Sequence, residues 1–153
     1  MIKTPKILWQ WCQLHELEPL QIQAMFALRQ NVFIVEQDCP YPDIDGQDAA
    51  AHHLLGWNGG ELVATLRVFE SYKDYDNNAS IGRICTHESA RKLGLGKVIV
   101  SKAIDYIEND FQKSSIQIGA QLYLKRFYQA FDFKQVSEIY VEDGIDHILM
   151  LRK

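Results

Sequence analysis

The spacing of apolar residues along the chain predicts alternating strands and helices. Strict alternation over residues 6–12 indicates a strand, and apolar positions at helical spacing behind Pro19 indicate a helix to about Val35, with the proline in its first turn. The predicted strands are 6–12, 53–57, 61–69, 80–86, 115–119, 133–140 and 147–151, and the predicted helices are 19–35, 94–110 and 122–131.

Two of these predictions have strong local signals. Strands 53–57 and 61–69 are joined by Asn58-Gly59-Gly60, and both Asn-Gly and Gly-Gly accept the positive φ of a tight hairpin. Helix 94–110 shows one apolar stripe. The members of that stripe are Leu95, Val98, Ile99, Ala103, Ile104 and Ile107.

The order β-α-β-β-β-α-β-α-β-β predicts an α/β (α+β) protein with a mixed sheet and helices packed on it. The length of 153 residues suits one domain spanning 1–153, large enough to fold without a disulfide or metal. Two prolines and an Asp-Gly neighbourhood predict a loop over residues 39–46.

Composition limits the classes of function. The net charge of −4 disfavours a general nucleic-acid binder, which needs many Lys and Arg side chains against phosphates. Three widely spaced cysteines, without a C-x-x-C pair, suggest reduced thiols rather than a zinc or redox site. The N-terminus lacks a signal-peptide pattern, and no apolar run approaches the ~20 residues of a membrane span. A cytoplasmic location without membrane contact is therefore the expectation.

The clearest chemistry lies at Arg91-Lys92-Leu93-Gly94-Leu95-Gly96, between a predicted strand and a long helix. Unpaired amides and a partial positive charge at a helix N-terminus bind anions, and glycines allow close approach of phosphate oxygens. A P-loop would need Ser or Thr at Val98, and a dinucleotide loop would need glycine at Ile99. The remaining pattern, R-x-x-G-x-G, suits the pyrophosphate of coenzyme A, although a basic turn without a ligand stays open.

This loop resembles the R/Q-x-x-G-x-G/A acetyl-CoA signature of the GNAT superfamily of acyl-CoA N-acyltransferases. Residues 81–86 look like the central strand of that family, and residues 124–133 resemble its "A-x-x-F-Y-x-x-x-G-F" segment. Further stretches are similar to the ElaA-like branch. They are Leu28-Arg29, Val32-Phe33, Val35-Glu36-Gln37, Cys39-Pro40-Tyr41, Asp43-Ile44-Asp45-Gly46, His53, Asp143-Gly144-Ile145 and His147.

The resemblance implies the GNAT fold, in which two central strands splay apart and admit the pantetheine arm like an added strand. It implies acetyl-CoA as cosubstrate and no metal. The implied cofactor-binding residues are Ile84, Cys85, Thr86, Arg91, Lys92, Leu93, Gly94, Leu95, Gly96, Gln121 and Tyr128. Gln121 stands where many relatives have Asn, and Asp132 replaces a glycine before Phe133, where Asp should tolerate the left-handed turn.

Catalysis would need a base for the amine and an acid for the leaving thiolate. The resemblance implies Tyr128 as the acid, the alternative being a core aromatic. Glu36 and His53 are the candidate bases. The non-catalytic alternatives are that Glu36 is a solvated carboxylate or pairs with Arg29, and that His53 has only a structural role. A chain of water molecules could also take the proton in place of either residue.

The loop aspartates Asp43, Asp45 and Asp48 lack the pattern of a calcium loop. They could cap a tight turn or form an acidic rim that attracts a cationic amine.

The expected reaction is direct acetyl transfer in a ternary complex to a primary amine of an unidentified small molecule or peptide. The alternatives are a non-catalytic acyl-CoA sensor and a relative of the acyl-homoserine-lactone synthases. Tyr128 favours an enzyme over the sensor, because a sensor needs no proton donor at that position. Relatives often pair through their C-terminal strands, so a homodimer is expected among the partners.

Overall fold

The computed structural model describes residues 4–153, which form eight strands and three α-helices. The strands are β1 Leu8–Gln13, β2 His52–Asn58, β3 Glu61–Phe69, β4 Ser80–Thr86, β5 Ile116–Gln121, β6 Lys134–Gln135, β7 Tyr140–Glu142 and β8 Ile145–Arg152. The helices are α1 Pro19–Arg29, α2 Leu95–Asn109 and α3 Lys125–Gln129. Short 3-10 helices cover Leu14–Glu16, Asp48–Ala50, Lys73–Tyr75, Glu88–Leu93 and Leu122–Leu124.

The strands form two four-stranded sheets. The first has the order β1-β2-β3-β4, and the second has the order β5-β8-β6 with β7 also paired to β8. β4 and β5 therefore each end a sheet, and the link between them is a single parallel bridge of Ala79 with Ile116. The mixed α/β class is therefore confirmed, and β4 and β5 are the terminal strands of two different sheets, as the GNAT resemblance implies.

The chain divides into two compact units. The first comprises the residues up to Arg67 together with Arg83–Lys102, and the second comprises Val68–Gly82 with Ala103–Lys153. Within the first unit, buried side chains of β1, α1, β2, β3 and β4, and one from the turn before α1, form one apolar cluster. Its members are Cys12, Leu17, Met25, Leu28, Leu55, Leu62 and Cys85.

The first helix changes type partway along. Pro19 occupies its first turn, and the Gln21 side chain accepts a hydrogen bond from the backbone amide of Glu18, which closes the N-terminus. After Arg29 the chain continues as a π-helix over Gln30–Glu36. The predicted helix to Val35 is therefore confirmed in extent, but its last turns are wider than an α-helix, a geometry often found beside functional sites.

Three predictions made from short sequence patterns, for the β2–β3 hairpin, the apolar stripe of α2 and the turn at Asp132, agree with the structure. The hairpin turns at Gly59, whose φ is +61°. The stripe of α2 is buried as expected except at Val98, which is 40% exposed, while Val100 takes the inward position. Asp132 has φ +68°, so this aspartate does adopt the left-handed turn that the family usually gives to glycine.

One strand prediction was wrong. Residues 133–140 do not form a continuous strand, because only Lys134–Gln135 and Tyr140–Glu142 pair with β8. Between them, the Ser137 hydroxyl accepts a hydrogen bond from the amide of Leu149, so a side chain replaces a ladder bond. The helix expected over 122–131 is a 3-10 turn followed by a single α-helical stretch ending at Gln129. Within the described residues, no helix has both the length and the apolar character needed to cross a bilayer.

Candidate active site

The predicted phosphate loop lies at the N-terminus of α2. The 3-10 helix Glu88–Leu93 leads into it, and the His87 ring nitrogen accepts a hydrogen bond from the amide of Ser89 to cap that helix. Gly94 then has φ +70°, and nothing lies within 4 Å of where a Cβ would project. The local sequence thus turns the chain through glycine and leaves open space at the first amides of a fifteen-residue helix.

Arg91 of this loop is held by two partners from the same unit. Its guanidinium donates to the Glu36 carboxylate at 2.5 Å and to the carbonyl oxygen of Thr86 at 3.1 Å. The structure therefore brings three of the predicted residues together. It also shows that Glu36 pairs with Arg91 and not with Arg29, so the Arg29 alternative is wrong. Both side chains are partly exposed, at 43% for Arg91 and 35% for Glu36.

The last residues of strand β4 are the other predicted cofactor contacts. Ile84 and Thr86 are partly exposed, whereas Cys85 is buried. Burial raises the pKa of the Cys85 thiol to about 12. The thiol is therefore protonated at neutral pH and is a poor nucleophile. The backbone of this strand lies at the edge of its sheet, where peptide groups are available to an added chain.

Arg83 has an unexpected backbone conformation just before these residues. Its φ is +51°, a left-handed value that a side chain with a Cβ disfavours. The guanidinium lies 2.8 Å from the Asp43 carboxylate and donates to the Asp43 carbonyl oxygen at 3.1 Å. It also lies over the ring of Tyr41 at 5.3 Å. These contacts hold a strained residue in place immediately ahead of Ile84.

The acidic loop is part of a buried ion-pair network. Its aspartates pair with arginines from α1, β3 and β4. The six members are Asp43, Asp45, Asp48, Arg29, Arg67 and Arg83. The sequence offered an acidic rim or simple turn caps for these aspartates. Both are wrong as the main role, because three arginines neutralise the carboxylates, although Asp45 also accepts from the amide of Gln47.

Asp48 is the centre of this network. Its Oδ1 accepts from Arg29 at 2.7 Å and from Arg67 at 3.1 Å, and the side chain is almost wholly buried. Burial acts to raise the pKa of Asp48, but the hydrogen bond and charge of Arg29, followed by those of Arg67, outweigh it and lower the pKa. Burial likewise acts to raise the pKa of Asp45, but hydrogen bonds from Arg67 and the Gln47 amide hold it well below its usual range.

His53, a candidate base, is placed beside this network. The ring is 1% exposed, and its Nε2 lies 2.9 Å from the carbonyl oxygen of Asp48. A carbonyl oxygen only accepts, so Nε2 carries the proton. Burial lowers the pKa of His53, which keeps the ring neutral. The structure thus brings His53 to the ion-pair network, through Asp48.

Tyr128 and Gln121 belong to the second unit. Tyr128 is 7% exposed, and its ring meets Phe127 and Phe133 edge-on. Burial, followed by the nearby Tyr123, raises the pKa of the Tyr128 phenol. The hydroxyl therefore keeps its proton at neutral pH. Gln121 ends β5 and pairs with His147 of β8.

Sequence reasoning missed Arg83, because no local pattern marks a left-handed residue within a strand of mixed side chains. It also passed over Gly119, which is exposed on β5 and which the hydroxyls of Tyr75 and Tyr140 approach closely. An isolated glycine within a strand is a known signal of such an approach. Within residues 4–153, no group of three or more His, Cys, Asp or Glu side chains is arranged to hold a metal ion.

Comparison with known proteins places these features in context. A family model described as an acetyltransferase (GNAT) domain matches residues 23–153. Protein ElaA of Escherichia coli strain K12 is 41% identical over 148 residues, covering 94% of this chain and 96% of that protein. The crystal structure of E. coli ElaA has a TM-score of 0.89 at 39% identity, covering 97% of this chain and 100% of that one.

Two further solved structures extend the comparison. An acyl-CoA N-acyltransferase from Pseudomonas aeruginosa has a TM-score of 0.91 at 33% identity, covering 97% of this chain and 100% of that one. The acyl-homoserine-lactone synthase LasI has a TM-score of 0.77 at 11% identity, covering 97% of this chain and 90% of that one. At that identity the LasI likeness shows a common fold alone.

Proposed function

Since this chain belongs to the GNAT acetyltransferase family, we propose that it transfers the acetyl group of acetyl-CoA to a primary amine of a small molecule or peptide. The family and the likeness to an acyl-CoA N-acyltransferase make the chain an acyltransferase enzyme. This favours catalysis over a non-catalytic acyl-CoA sensor. The family model spans residues 23–153, which supports a single GNAT domain.

The open turn at Gly94 is the observation that carries the proposal. Its positive φ and the empty space where a Cβ would project give a phosphate group access to the first amides of α2. Arg91 and Lys92 are exposed on the same loop and add positive charge. The residues present therefore fit the pyrophosphate of coenzyme A, with Leu93, Gly94, Leu95 and Gly96 supplying backbone amides.

The pantetheine arm would pair with the outer edge of β4 at Ile84, Cys85 and Thr86, beside the carbonyl oxygen that Arg91 already contacts. Gln121 would supply a side-chain amide from β5. Bound acetyl-CoA supplies the thioester that the amine attacks. Direct transfer is favoured over an acyl-enzyme because Cys85 is buried and its pKa is raised to about 12.

Two residues would handle protons. Tyr128 is the proposed acid for the leaving sulfur, and the burial that raises its pKa keeps that proton available. For the base we favour Glu36 over His53, because the Glu36 side chain is 35% exposed whereas that of His53 is only 1% exposed. The Nε2 proton of His53 is also already donated to a carbonyl oxygen. Pairing with Arg91 positions the Glu36 carboxylate beside the phosphate loop.

Calorimetric titration with acetyl-CoA tests this proposal. The Gly94→Glu variant should lose detectable binding, because a side chain and a negative charge would occupy the phosphate position. The matched control is Gly59→Glu, since Gly59 also has positive φ and open space but lies in the β2–β3 hairpin turn. The control should bind like the parent chain. Equal affinity of Gly94→Glu and Gly59→Glu, or a parent chain that ignores acetyl-CoA at millimolar concentration, would contradict the proposal.

A further inference from the structure

In the second unit the side-chain hydroxyls of Tyr75 and Tyr140 both lie next to Gly119 of β5. A Cβ built on Gly119 would lie 3.0 Å from the hydroxyl of Tyr75 and 3.1 Å from the hydroxyl of Tyr140. Both oxygens therefore lie against the same point of β5, although the two tyrosines come from distant parts of the chain. The two hydroxyls thus place two groups that can both donate and accept hydrogen bonds side by side on this strand.

The sheet register shows which other groups share this face. Gln121 pairs with His147, which in turn pairs with Tyr140, and side chains of directly paired residues lie on the same face. Positions two apart on a strand also share a face, which adds Gly119 beside Gln121 and Glu142 beside Tyr140. This face lies opposite the buried apolar positions of the same strands, such as Ile118 and Ile148.

Glu142 places a carboxylate on this face beside Tyr140, while the Lys134 cation lies further along the same face, opposite Leu151. The Glu142 carboxylate is 61% exposed and lies 3.6 Å from Nε2 of His147. The ring of Tyr140 stacks on His147 at 5.7 Å, which holds the phenol in position. Nδ1 of His147 lies 2.7 Å from the carbonyl oxygen of Ile145, so the Nδ1 proton is donated there.

Both phenols are neutral acceptors and donors at physiological pH. Burial, followed by the nearby charge positions of Tyr140, Tyr72 and Glu142, raises the pKa of Tyr75. Burial, followed by Glu142, raises the pKa of Tyr140. The ring of Tyr75 also packs against the partly exposed ring of Tyr72, which in turn packs on the buried Phe69, so two tyrosine rings line this part of the unit.

We propose that this face binds the acceptor, and that the acceptor is a primary amine on an uncharged, aromatic or aliphatic body. The ammonium group donates to the Tyr75 and Tyr140 hydroxyl oxygens over Gly119, close to the Glu142 carboxylate, and the body lies along the tyrosine rings. A free amino acid binds poorly, because its carboxylate would face Glu142. This inference rests on the proposed acetyl transfer.

Gly119 is required because a larger residue would enter the space between the hydroxyls. The cluster also favours a cation over a neutral alcohol, since hydrogen bonds donated by an ammonium group are stronger and only the ammonium is attracted to the Glu142 carboxylate. The probe for the test is therefore 2-phenylethylamine. Phenylalanine and 2-phenylethanol serve as comparison ligands that add a carboxylate or remove the charge.

Calorimetric titration of the full chain with 2-phenylethylamine, alone and saturated with coenzyme A, measures the affinity directly. Tyr75→Phe and Tyr140→Phe should each weaken binding roughly ten-fold, the loss expected for one hydrogen bond to a charged group. Gly119→Ala should also weaken binding, because the added methyl group would crowd both hydroxyls. Tyr123→Phe is the matched control, because Tyr123 is exposed and lies outside the cluster. This control should bind the amine like the parent chain.

In turnover assays the cluster variants should raise the KM for the amine while leaving the affinity for acetyl-CoA unchanged. A purely structural role would lower acetyl-CoA affinity or the melting temperature as well. The inference is overturned if the parent chain does not bind 2-phenylethylamine, if phenylalanine binds equally well, or if all three variants bind like Tyr123→Phe. Failure of acetyl-CoA binding, measured separately, would instead contradict the proposed function.

Discussion

Removing the Asp48 carboxylate should sharply lower the free energy of unfolding. Asp48 receives charged hydrogen bonds from Arg29 and Arg67 in a buried setting. Each such bond contributes about 1.5–3 kcal/mol, and loss of one partner from a buried ion pair costs about 3–5 kcal/mol. Asp48→Ala leaves two buried guanidinium groups without this acceptor, so we expect a loss at the upper part of that range.

The Asp48→Asn variant tests the contribution of the negative charge, because asparagine has nearly the same shape as aspartate. The amide keeps an oxygen at the Oδ1 position for Arg29 and Arg67, but its NH₂ group takes the place of Oδ2. Within the described residues Oδ2 is buried without a hydrogen-bond partner. We therefore expect a loss of about 2–3 kcal/mol from the missing charge and the unpaired donor.

Urea denaturation followed by tryptophan fluorescence measures these losses. Trp9, Trp11 and Trp57 all lie in the same unit as the network, so the signal reports on the part of the structure that changes. For a chain of this size a loss of 3–5 kcal/mol corresponds to a fall in Tm of roughly 10 °C. Asp105→Asn, at an exposed position of α2, is the control and should unfold like the parent chain.

The pH dependence provides a second check. The folded-state pKa of Asp48 is lowered, so the ionised carboxylate contributes stability above its unfolded pKa, about 3.9. This contribution is lost as pH falls through the folded pKa. The difference between the parent chain and Asp48→Asn should therefore be largest near neutral pH and shrink below about pH 4. Equal urea midpoints at pH 7 would refute the stabilising role of the network.

Two further predictions concern the proposed chemistry. Tyr128→Phe should lower kcat by roughly 100-fold or more with little change in acetyl-CoA affinity, because the phenol would act only as the leaving sulfur gains charge; unchanged turnover would remove Tyr128 from the mechanism. The thiols of Cys12 and Cys85, whose pKa values burial raises to about 11 and 12, should react slowly with a disulfide reagent at pH 8 and rapidly after denaturation. Rapid modification of Cys12 or Cys85 in the native protein would contradict this assignment.

Elements with short-range causes were predictable from the sequence. The β2–β3 hairpin follows from Asn58-Gly59-Gly60, and the start of α2 follows from Gly94, whose lack of a Cβ permits the turn. Asp132 likewise signals its own left-handed conformation. In each case the backbone preference of one or two residues decides the local geometry, so no distant contact is needed.

Elements that depend on distant partners were predicted less well. The stretch 133–140 has the composition of a strand, but its pairing with β8 is interrupted by the Ser137 hydroxyl. The sequence predicts that the loop aspartates form an acidic rim or cap a tight turn. It does not reveal the ion pairs, because the arginines that neutralise these aspartates come from three other elements. A side chain's partners across 14 to 40 residues have no local pattern.

The sequence by itself determined most of the order of elements, the family and the glycine-containing start of α2, because spacing, glycine positions and helix termini act over a few residues. Only the tertiary structure decided that Glu36 pairs with Arg91, that His53 lies beside a buried network, and that two tyrosines converge on one glycine. These arrangements arise from packing between strands and loops far apart in the chain, where burial and charge select partners that no local pattern specifies.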